Sequence, residues 1–311
     1  MTTFWNAERL FETVATPDAA IAFCKERGLI ADAPDCRYCR HPLTWSVKTD
    51  HADGFSWRCT HRGCRKRSRN CSIRHGSWFS DSKMSLKKIL KLTYYWAARA
   101  TTSAAIRETS VHEGEQTSSK TVVDWFTFCR EVCLRVVEER CSKGIGGPGM
   151  TVEIDESKFG RRKYNRGRLV EGKWVLGGIC RETKEIFLIE VPKRDSATLI
   201  PLIKEYVAAG STIISDCWKA YDCLSQENFT HLTVNHSLNF VDPTTGAHTQ
   251  NIECQWWQIK RSLPSTHATS STDGFGFRLA EYMWRRQNAL VDHFDQILSD
   301  ILLLYKPPKR F

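Results

Sequence analysis

The chain has 311 residues, 41% hydrophobic and 26% charged, and its 45 Lys and Arg against 35 Asp and Glu give a formal net charge of +10. This composition is globular rather than disordered, and no apolar run approaches the roughly 18 residues of a membrane span. The N-terminus lacks the apolar core of a signal peptide and the 13 cysteines are odd in number, which argues against a secreted disulfide scaffold. The positive charge favours an anionic partner.

Composition changes along the chain predict five segments: an N-terminal helical segment, a cysteine-rich ribbon, a small helical module, a linker and an α/β domain, at residues 1–30, 31–80, 81–141, 142–150 and 151–305. The helical module has apolar residues at helical spacing, and its last helix is predicted to begin at Ser119. This pattern is similar to a helix-turn-helix, and a plain helical bundle is the alternative. The linker is predicted from four glycines and a proline.

Four cysteines of the ribbon have the spacing of a zinc site: Cys36, Cys39, Cys59 and Cys64. Two such pairs can supply four thiolates to one tetrahedral Zn²⁺, and metal binding would provide much of the folding energy of so short a segment. The second pair has a four-residue gap instead of the usual two, so His61 or Cys71 is an alternative fourth ligand. The prediction is a zinc ribbon.

Six basic residues surround the second cysteine pair: Arg58, Arg62, Arg65, Lys66, Arg67 and Arg69. A solvated face or a nuclear import signal would explain such a cluster. Arginines on a metal-stabilised ribbon are better suited to contacting DNA phosphates, and we predict that they bind DNA.

The α/β domain begins with three short β-branched runs, which are followed by a helix, two further strands and more helices. The strands are predicted at 151–155, 174–180, 185–191, 212–216 and 231–237. The helices are predicted at 196–210, ending at the capping residue Gly210, at 251–263, and as one or two helices over 277–305. This order predicts a mixed sheet with helices on its faces.

Three acidic residues occupy informative positions in this pattern. Asp155 and Asp216 each lie at the end of a predicted strand, and Glu253 lies in the helix that follows the last strand. Converging carboxylates repel one another unless cations hold them, and hard oxygen ligands suit Mg²⁺ or Mn²⁺. Two such ions can activate a water or a 3′-hydroxyl in phosphoryl transfer. Taken singly, each acid is more often a turn former or a cap.

The resemblance to a known family is carried by VEIDESKFGRRKYNRGR (152–168), ISDCWKAYDCL (214–224) and DPTTGAHTQNIE (242–253). These segments resemble the catalytic domain of Merlin-type transposases and their bacterial insertion-sequence relatives, which belong to the DDE superfamily. The resemblance implies an RNase H-like fold and places the acidic triad on Asp155, Asp216 and Glu253. His248 is a possible auxiliary residue, and Glu153, on the same strand face as Asp155, is the better substitute ligand than Glu156.

Two further basic groups would hold DNA beside this site. The loop beyond Asp155 contributes one group, Arg161, Arg162, Lys163, Arg166 and Arg168, and the helix of Glu253 contributes Lys260 and Arg261. An exposed turn is the alternative explanation for the loop. Trp256 and Trp257 are expected to be core residues that fix the helix.

The sequence thus predicts a DNA transposase that cleaves phosphodiesters at element ends and transfers the strand to target DNA. Its expected cofactors are two catalytic Mg²⁺ or Mn²⁺ ions and one structural Zn²⁺. Its expected partners are double-stranded DNA, as terminal inverted repeats and target, and further copies of itself in a dimer or higher assembly. A nuclear location is expected for a eukaryotic host and a cytoplasmic one for a bacterial host. The alternatives are a domesticated DNA-binding protein without transposition activity and a nuclease without strand transfer.

Overall fold

The computed structural model describes residues 4–110, 116–141, 144–160, 172–263 and 274–311. The chain forms two compact units: unit 1 is Met1–Val132 with Asn288–Phe311, and unit 2 is Cys133–Gln287. Residues 288–305, which the sequence assigns to the α/β domain, are therefore part of unit 1. The reason lies in Asp292, which accepts a hydrogen bond from the main-chain N–H of Trp5 at 2.8 Å, and in Phe294, whose ring packs against Trp5.

Unit 1 contains a three-stranded antiparallel sheet and six helices within the described residues. The strands, in spatial order, are β1 (Thr44–Val47), β2 (Phe55–Arg58) and β3 (Asn70–Ser72). The helices are α1 (Ala7–Thr13), α2 (Pro17–Glu26), α3 (Leu86–Ala97), α4 (Thr102–Thr109), α5 (Ser119–Cys141, which continues into unit 2) and α9 (His293–Leu304). The structure thus begins α5 at Ser119, as its N-cap pattern predicts.

A buried ion pair joins the small sheet to the helices of unit 1. Asp53 accepts hydrogen bonds from Nε and Nη2 of Arg74 at 2.5 and 2.6 Å, and a third from the main-chain N–H of Leu86 at the start of α3. Both side chains are almost fully buried. A bidentate pair of this kind fixes geometry as well as charge, so it sets the position of the ribbon on α3.

Unit 2 is built on a five-stranded mixed sheet. Its elements are β4 (Thr151–Phe159), β5 (Lys173–Cys180), β6 (Ile186–Val191), α6 (Ser196–Tyr206), β7 (Thr212–Asp216), β8 (Thr230–Val234), α7 (Gln250–Ser262) and α8 (Gly274–Gln287). The spatial order is β6-β5-β4-β7-β8, with β4 to β6 antiparallel and β7 and β8 parallel to β4. This is the strand order of an RNase H-like sheet, and it confirms the predicted mixed α/β fold.

Two local features of unit 2 differ from the sequence prediction. Helix α6 ends at Tyr206 rather than Gly210, because the extended Val207 forms a β-bridge with Ile145. The same bridge binds the glycine-rich segment to unit 2, where the N–H of Gly147 also donates to Ser211 Oγ at 2.8 Å. Residues 144–150 are thus packed against the sheet domain rather than free. Among the described helices, none combines the length and apolar character needed to cross a lipid bilayer.

Candidate active site and cysteine cluster

Strand β4 presents two chemically different faces. Val152 and Ile154 are buried in the apolar core on one face. On the other face, Glu153, Asp155 and Ser157 each contact helix α7. The alternation predicted from the sequence is therefore present, and it brings Asp155 to the side of the sheet that α7 covers.

Asp155 is held by a tryptophan of α7. Nε1 of Trp256 donates to Asp155 Oδ2 at 2.9 Å. Burial raises the pKa of Asp155 to about 6, the two hydrogen bonds that it accepts lower it, and the charges of Asp216 and Glu253 raise it again. Asp155 thus lies close enough to the other two predicted catalytic carboxylates to feel their charges.

The second carboxylate lies on the neighbouring strand. Asp216 is the last residue of β7, which runs parallel to β4 and pairs Ile214 with Glu153, so Asp216 comes level with Asp155 on the neighbouring strand. Asp155 itself lies in the middle of β4, which continues to Phe159, so the prediction that its strand ends at Asp155 is wrong. Its Oδ1 accepts the main-chain N–H of Trp218 at 3.0 Å. This bond fixes the carboxylate at the point where the chain leaves the strand.

The third carboxylate, Glu253, is oriented by two side chains that sequence reasoning missed. Oε1 of Glu253 accepts the hydroxyl of Thr249 at 2.9 Å and lies 3.4 Å from Nε2 of His236. That imidazole nitrogen is in turn 2.8 Å from Thr249 Oγ1. The i, i+4 spacing of Thr249 and Glu253 on the first turn of α7 could have indicated the first contact.

Glu153 anchors the start of α7 and is fully buried. Its carboxylate accepts the main-chain N–H groups of Asn251 and Ile252 at 2.8 and 3.0 Å and an ion-paired hydrogen bond from Arg181 at 2.6 Å. These donors occupy the carboxylate, so Glu153 is not a substitute metal ligand. His248 lies here as well, with Nδ1 3.6 Å from Glu153. Among the described residues, this nitrogen is buried and makes no hydrogen bond.

Glu156 points to the opposite face of the sheet, as strand alternation predicts. It accepts the hydroxyl of the buried Tyr221. Burial raises the pKa of Glu156 to about 7, and the charges of Asp155 and Asp216 raise it, while Arg194 lowers it.

The basic and aromatic residues of α7 divide between the site and the surface. Nζ of Lys260 donates to Ser157 Oγ at 2.5 Å, and burial lowers the pKa of this lysine while the charge of Asp155 raises it. Arg261 is exposed and lies over the ring of Trp257 at 5.2 Å. Trp256 is buried as predicted, but Trp257 is 62% exposed, so the prediction that it is a core residue is wrong.

A second constellation lies in unit 1, where four thiol groups converge. The sulfur atoms of Cys36, Cys39, Cys59 and Cys64 all lie within 4.8 Å of one another. The Cys36–Cys64 and Cys39–Cys59 separations are 3.8 and 3.6 Å. A tetrahedral zinc site with Zn–S bonds of about 2.3 Å has S···S edges of about 3.8 Å, so the cluster fits zinc. Of the two alternatives for the fourth ligand, His61 instead stacks on His41 beside Cys39.

The basic cluster of the ribbon is fully solvent-facing. All six predicted DNA-binding residues there are exposed: Arg58, Arg62, Arg65, Lys66, Arg67 and Arg69. Arg65 and Arg69 lie over the ring of Tyr38, and Arg69 also donates to its hydroxyl at 2.7 Å. The second predicted basic group, Arg161, Arg162, Lys163, Arg166 and Arg168, lies outside the described residues.

Comparison with known proteins identifies unit 2. The model of the ISXO2-like transposase domain matches residues 146–287. This segment is therefore similar to an ISXO2-like transposase domain, and it is called the transposase domain below. An uncharacterized transposase-like protein of Haemophilus influenzae is 29% identical over 118 residues, which are 38% of this chain and 94% of that protein.

More distant similarities surround this transposase domain. Male abnormal protein mab-31 of Caenorhabditis elegans is 27% identical over 175 residues, which are 53% of this chain and only 40% of that relative. The integrase catalytic core of HTLV-2 is 12% identical over 46% of this chain and 86% of its own, with a TM-score of 0.24. The pre-cleavage Mos1 transpososome is 11% identical over 64% of this chain and 77% of its own, with a TM-score of 0.20. These last two likenesses are too weak to add to the fold assignment, which rests on strand order.

The transposase domain needs a glycine beside its first carboxylate. Gly177 is the β5 partner of Asp155, and a Cβ at this position would lie 2.5 Å from Cη2 of Trp256. The indole that donates to Asp155 thus occupies the space that the missing side chain leaves. Nothing in the strand pattern of the sequence distinguishes this glycine from its neighbour Gly178.

The anchoring role of Glu153 in the transposase domain is testable by stability. Glu153→Gln removes the fully buried partner of the partly exposed Arg181 and weakens the acceptor for the α7 N–H groups. We expect a loss of about 3–5 kcal/mol in the free energy of unfolding, measured by urea denaturation. Glu190→Gln is the matched control, because Glu190 pairs with Lys173 at a more exposed position and should change stability by about 1 kcal/mol or less. Equal effects of the two substitutions would contradict the anchoring role.

Proposed function

We propose that the chain is a DNA transposase that cleaves phosphodiesters at element ends and joins the exposed 3′-hydroxyl to target DNA. The observation that carries the proposal is the arrangement of Asp155, Asp216 and Glu253 within an ISXO2-like transposase domain. Asp155 on the central strand feels the like charges of Asp216 and Glu253, and a group of carboxylates of this kind suits divalent cations.

Asp155 and Asp216 would hold two Mg²⁺ or Mn²⁺ ions, with Glu253 completing the ligand set. The donors are all carboxylate oxygens, which fit hard divalent cations, and the pKa of Asp155 is raised first by burial and then by the charges of Asp216 and Glu253. When bound, such ions lower the pKa of a nucleophilic water or hydroxyl and stabilise charge on the leaving oxygen.

The protein's own contribution is to hold these ligands in place before substrate arrives. Trp256 orients Asp155, and the N–H of Trp218 orients Asp216. Thr249 and His236 orient Glu253. Lys260 donates a hydrogen bond to Ser157, which lies two residues beyond Asp155 on β4, and its ammonium group would contact a scissile phosphate. Catalysis would thus consist mainly of positioning and charge neutralisation.

Zn²⁺ held by Cys36, Cys39, Cys59 and Cys64 would stabilise the ribbon, and the exposed arginines around it would contact the phosphates of terminal inverted repeats. Their exposure and their lack of carboxylate partners within the described residues support this role. In this proposal the helices α3 to α5 form a helix-turn-helix-like module that extends the DNA contact. Residues 151–305 act as the catalytic domain, although the last of these residues pack in unit 1.

Joining two element ends to one target requires at least a dimer of the chain. In a eukaryotic host this activity belongs in the nucleus, and in a bacterial host in the cytoplasm. Both points are part of the proposal and follow from the reaction rather than from any contact described above.

The catalytic claim is tested with a duplex that carries the terminal sequences flanking this coding region. Asp155→Asn should reduce Mg²⁺-dependent strand cleavage by at least about a hundredfold, because it removes a charged metal ligand, while binding of the duplex stays within about twofold. Asp222→Asn is the control, because Asp222 is an exposed acid six residues beyond Asp216. This variant should cleave the duplex at the wild-type rate. Full cleavage by Asp155→Asn would refute the triad assignment.

The same assay separates transposase from its alternatives. A transposase yields joined products in which the element end is linked to target DNA, whereas a nuclease yields cut ends only. A domesticated DNA-binding protein binds the duplex and yields neither.

Zinc binding is tested by metal analysis of the purified full-length chain. The wild type should contain one Zn²⁺ per chain, and Cys64→Ser should lose it, because three ligands remain and the ribbon depends on metal for folding. Cys71→Ser is the matched control and should keep the metal, since Cys71 lies outside the four-thiol cluster. Retention of zinc by Cys64→Ser, or its loss from Cys71→Ser, would contradict the proposed ligand set.

A further inference from the structure

A cluster of aromatic and basic side chains lies on the face of the transposase sheet opposite α7. Lys158 of β4 pairs with Trp174 of β5, and both share a face with Glu156. Trp174 carries Arg194 over its ring at 3.8 Å and Lys158 at 5.5 Å. None of these residues belongs to the basic groups predicted from the sequence.

Arg194 is held by indoles rather than by acids. Its guanidinium lies 3.8 Å from the ring centroid of Trp174 and 5.1 Å from that of Trp218. Among the described residues no carboxylate oxygen lies within 4 Å of it, although Glu156 is close enough to feel its charge. A guanidinium stacked on aromatic faces keeps its charge and its in-plane N–H donors for another ligand.

Trp218 ties this cluster to the proposed metal site. Its main-chain N–H donates to Asp216, and its indole N–H donates to the carbonyl of Arg194 at 3.2 Å. The side chain is nevertheless 42% exposed. The indole is thus fixed in position next to Arg194 while part of its surface stays open to solvent.

The charges around the cluster favour an anion. Lys158, Lys193 and Lys219 are exposed, and Lys193 and Lys219 directly flank Arg194 and Trp218 in the sequence. The nearby acids have partners of their own. Glu156 accepts the Tyr221 hydroxyl, and Asp195 accepts N–H of Thr198 as the cap of α6.

We propose that Arg194, Lys158 and Trp218 form a DNA-backbone site that receives duplex DNA on the side of the metal site away from α7. The site would bind phosphates through the guanidinium and ammonium groups, with the indoles holding Arg194 in place. It rests on the proposed function, because DNA that is cleaved at the carboxylates must also be held beside them. Lys260 and Arg261 occupy the α7 side, and this cluster occupies the other.

The test uses a fluorescently labelled 30-base-pair duplex of random sequence, with Ca²⁺ in place of Mg²⁺ to prevent cleavage. Arg194→Ala in the full chain should weaken binding about eightfold at 0.1 M salt and reduce the slope of log Kd against log salt by about 0.9, the effect of one lost phosphate contact. Lys158→Gln, on an exposed strand position, provides a second reading should Arg194→Ala fold poorly, and the same change in slope is expected.

Lys204→Ala is the charge-matched control, because it removes an exposed cation of the same domain that is paired with Glu227. The proposal would be overturned if Arg194→Ala and Lys158→Gln both left the slope of log Kd against log salt unchanged, or if Lys204→Ala changed it equally. In that case the cluster would be assigned to binding a protein partner instead of DNA. Mg²⁺-dependent cleavage by the wild type is measured separately. If the variants reduce the slope of log Kd against log salt but the wild type does not cleave DNA, the DNA-backbone site stands and the proposed catalytic function is rejected. If the wild type cleaves DNA but the slopes are unchanged, the catalytic function stands and the DNA-backbone site is rejected.

Discussion

The candidate site depends on a match between the repeat of a strand and the repeat of a helix. Two residues of β4 span about 6.6 Å and four residues of α7 about 6 Å, so alternate strand positions meet successive helical turns. Glu153 meets Ile252, Asp155 meets Trp256, and Ser157 meets Lys260. Each contact is a hydrogen bond, and together they fix both the height and the rotation of α7. Glu253 lies one residue after the first contact, so its position on the helix follows from the same match.

This packing explains why the site holds acids that repel one another. The fully buried Glu153 accepts hydrogen bonds from the partly exposed Arg181 and from two main-chain N–H groups of α7, and these bonds hold the start of the helix. Asp155 has a single indole donor and the main-chain N–H of Glu156, and burial raises its pKa to about 6. A divalent cation would offset the repulsion that Asp155 experiences from the charges of Asp216 and Glu253. In the proposed function, Glu153 is therefore a structural acid that holds α7, whereas Asp155, Asp216 and Glu253 are the acids that would bind metal.

Much of unit 2 could be predicted from the sequence because its strands are short β-branched runs of period 2. The alternation alone placed Asp155 and Glu156 on opposite faces. The end of α6 could not be predicted, because Val207 leaves the helix to pair with Ile145, a residue 62 positions earlier in the chain. Trp257 was assigned to the core because helical spacing cannot tell which of two adjacent tryptophans faces the sheet. The Arg194 cluster was missed for a similar reason: its cations are scattered in sequence, and only the fold brings them onto one pair of indoles.

The cysteine cluster shows the opposite balance. Spacing predicted the four thiols but left the fourth ligand open, and the fold brings Cys64 within 3.8 Å of Cys36, while His61 lies within 4.8 Å of Cys39 and His41. The helical module was predicted from periodicity, but its packing with α9 was not, because α9 is about 150 residues distant in sequence from α5. Long-range pairing of amphipathic helices carries no local signal.

The central claim is that Asp155, Asp216 and Glu253 form one divalent-metal site. Its most direct test is a crystal structure of the full chain grown with Mn²⁺, with data collected at the manganese absorption edge. The account predicts anomalous density between the carboxylates of Asp155 and Asp216, with Glu253 as a further ligand. Crystals saturated with Mn²⁺ that show no anomalous density at these carboxylates would contradict it.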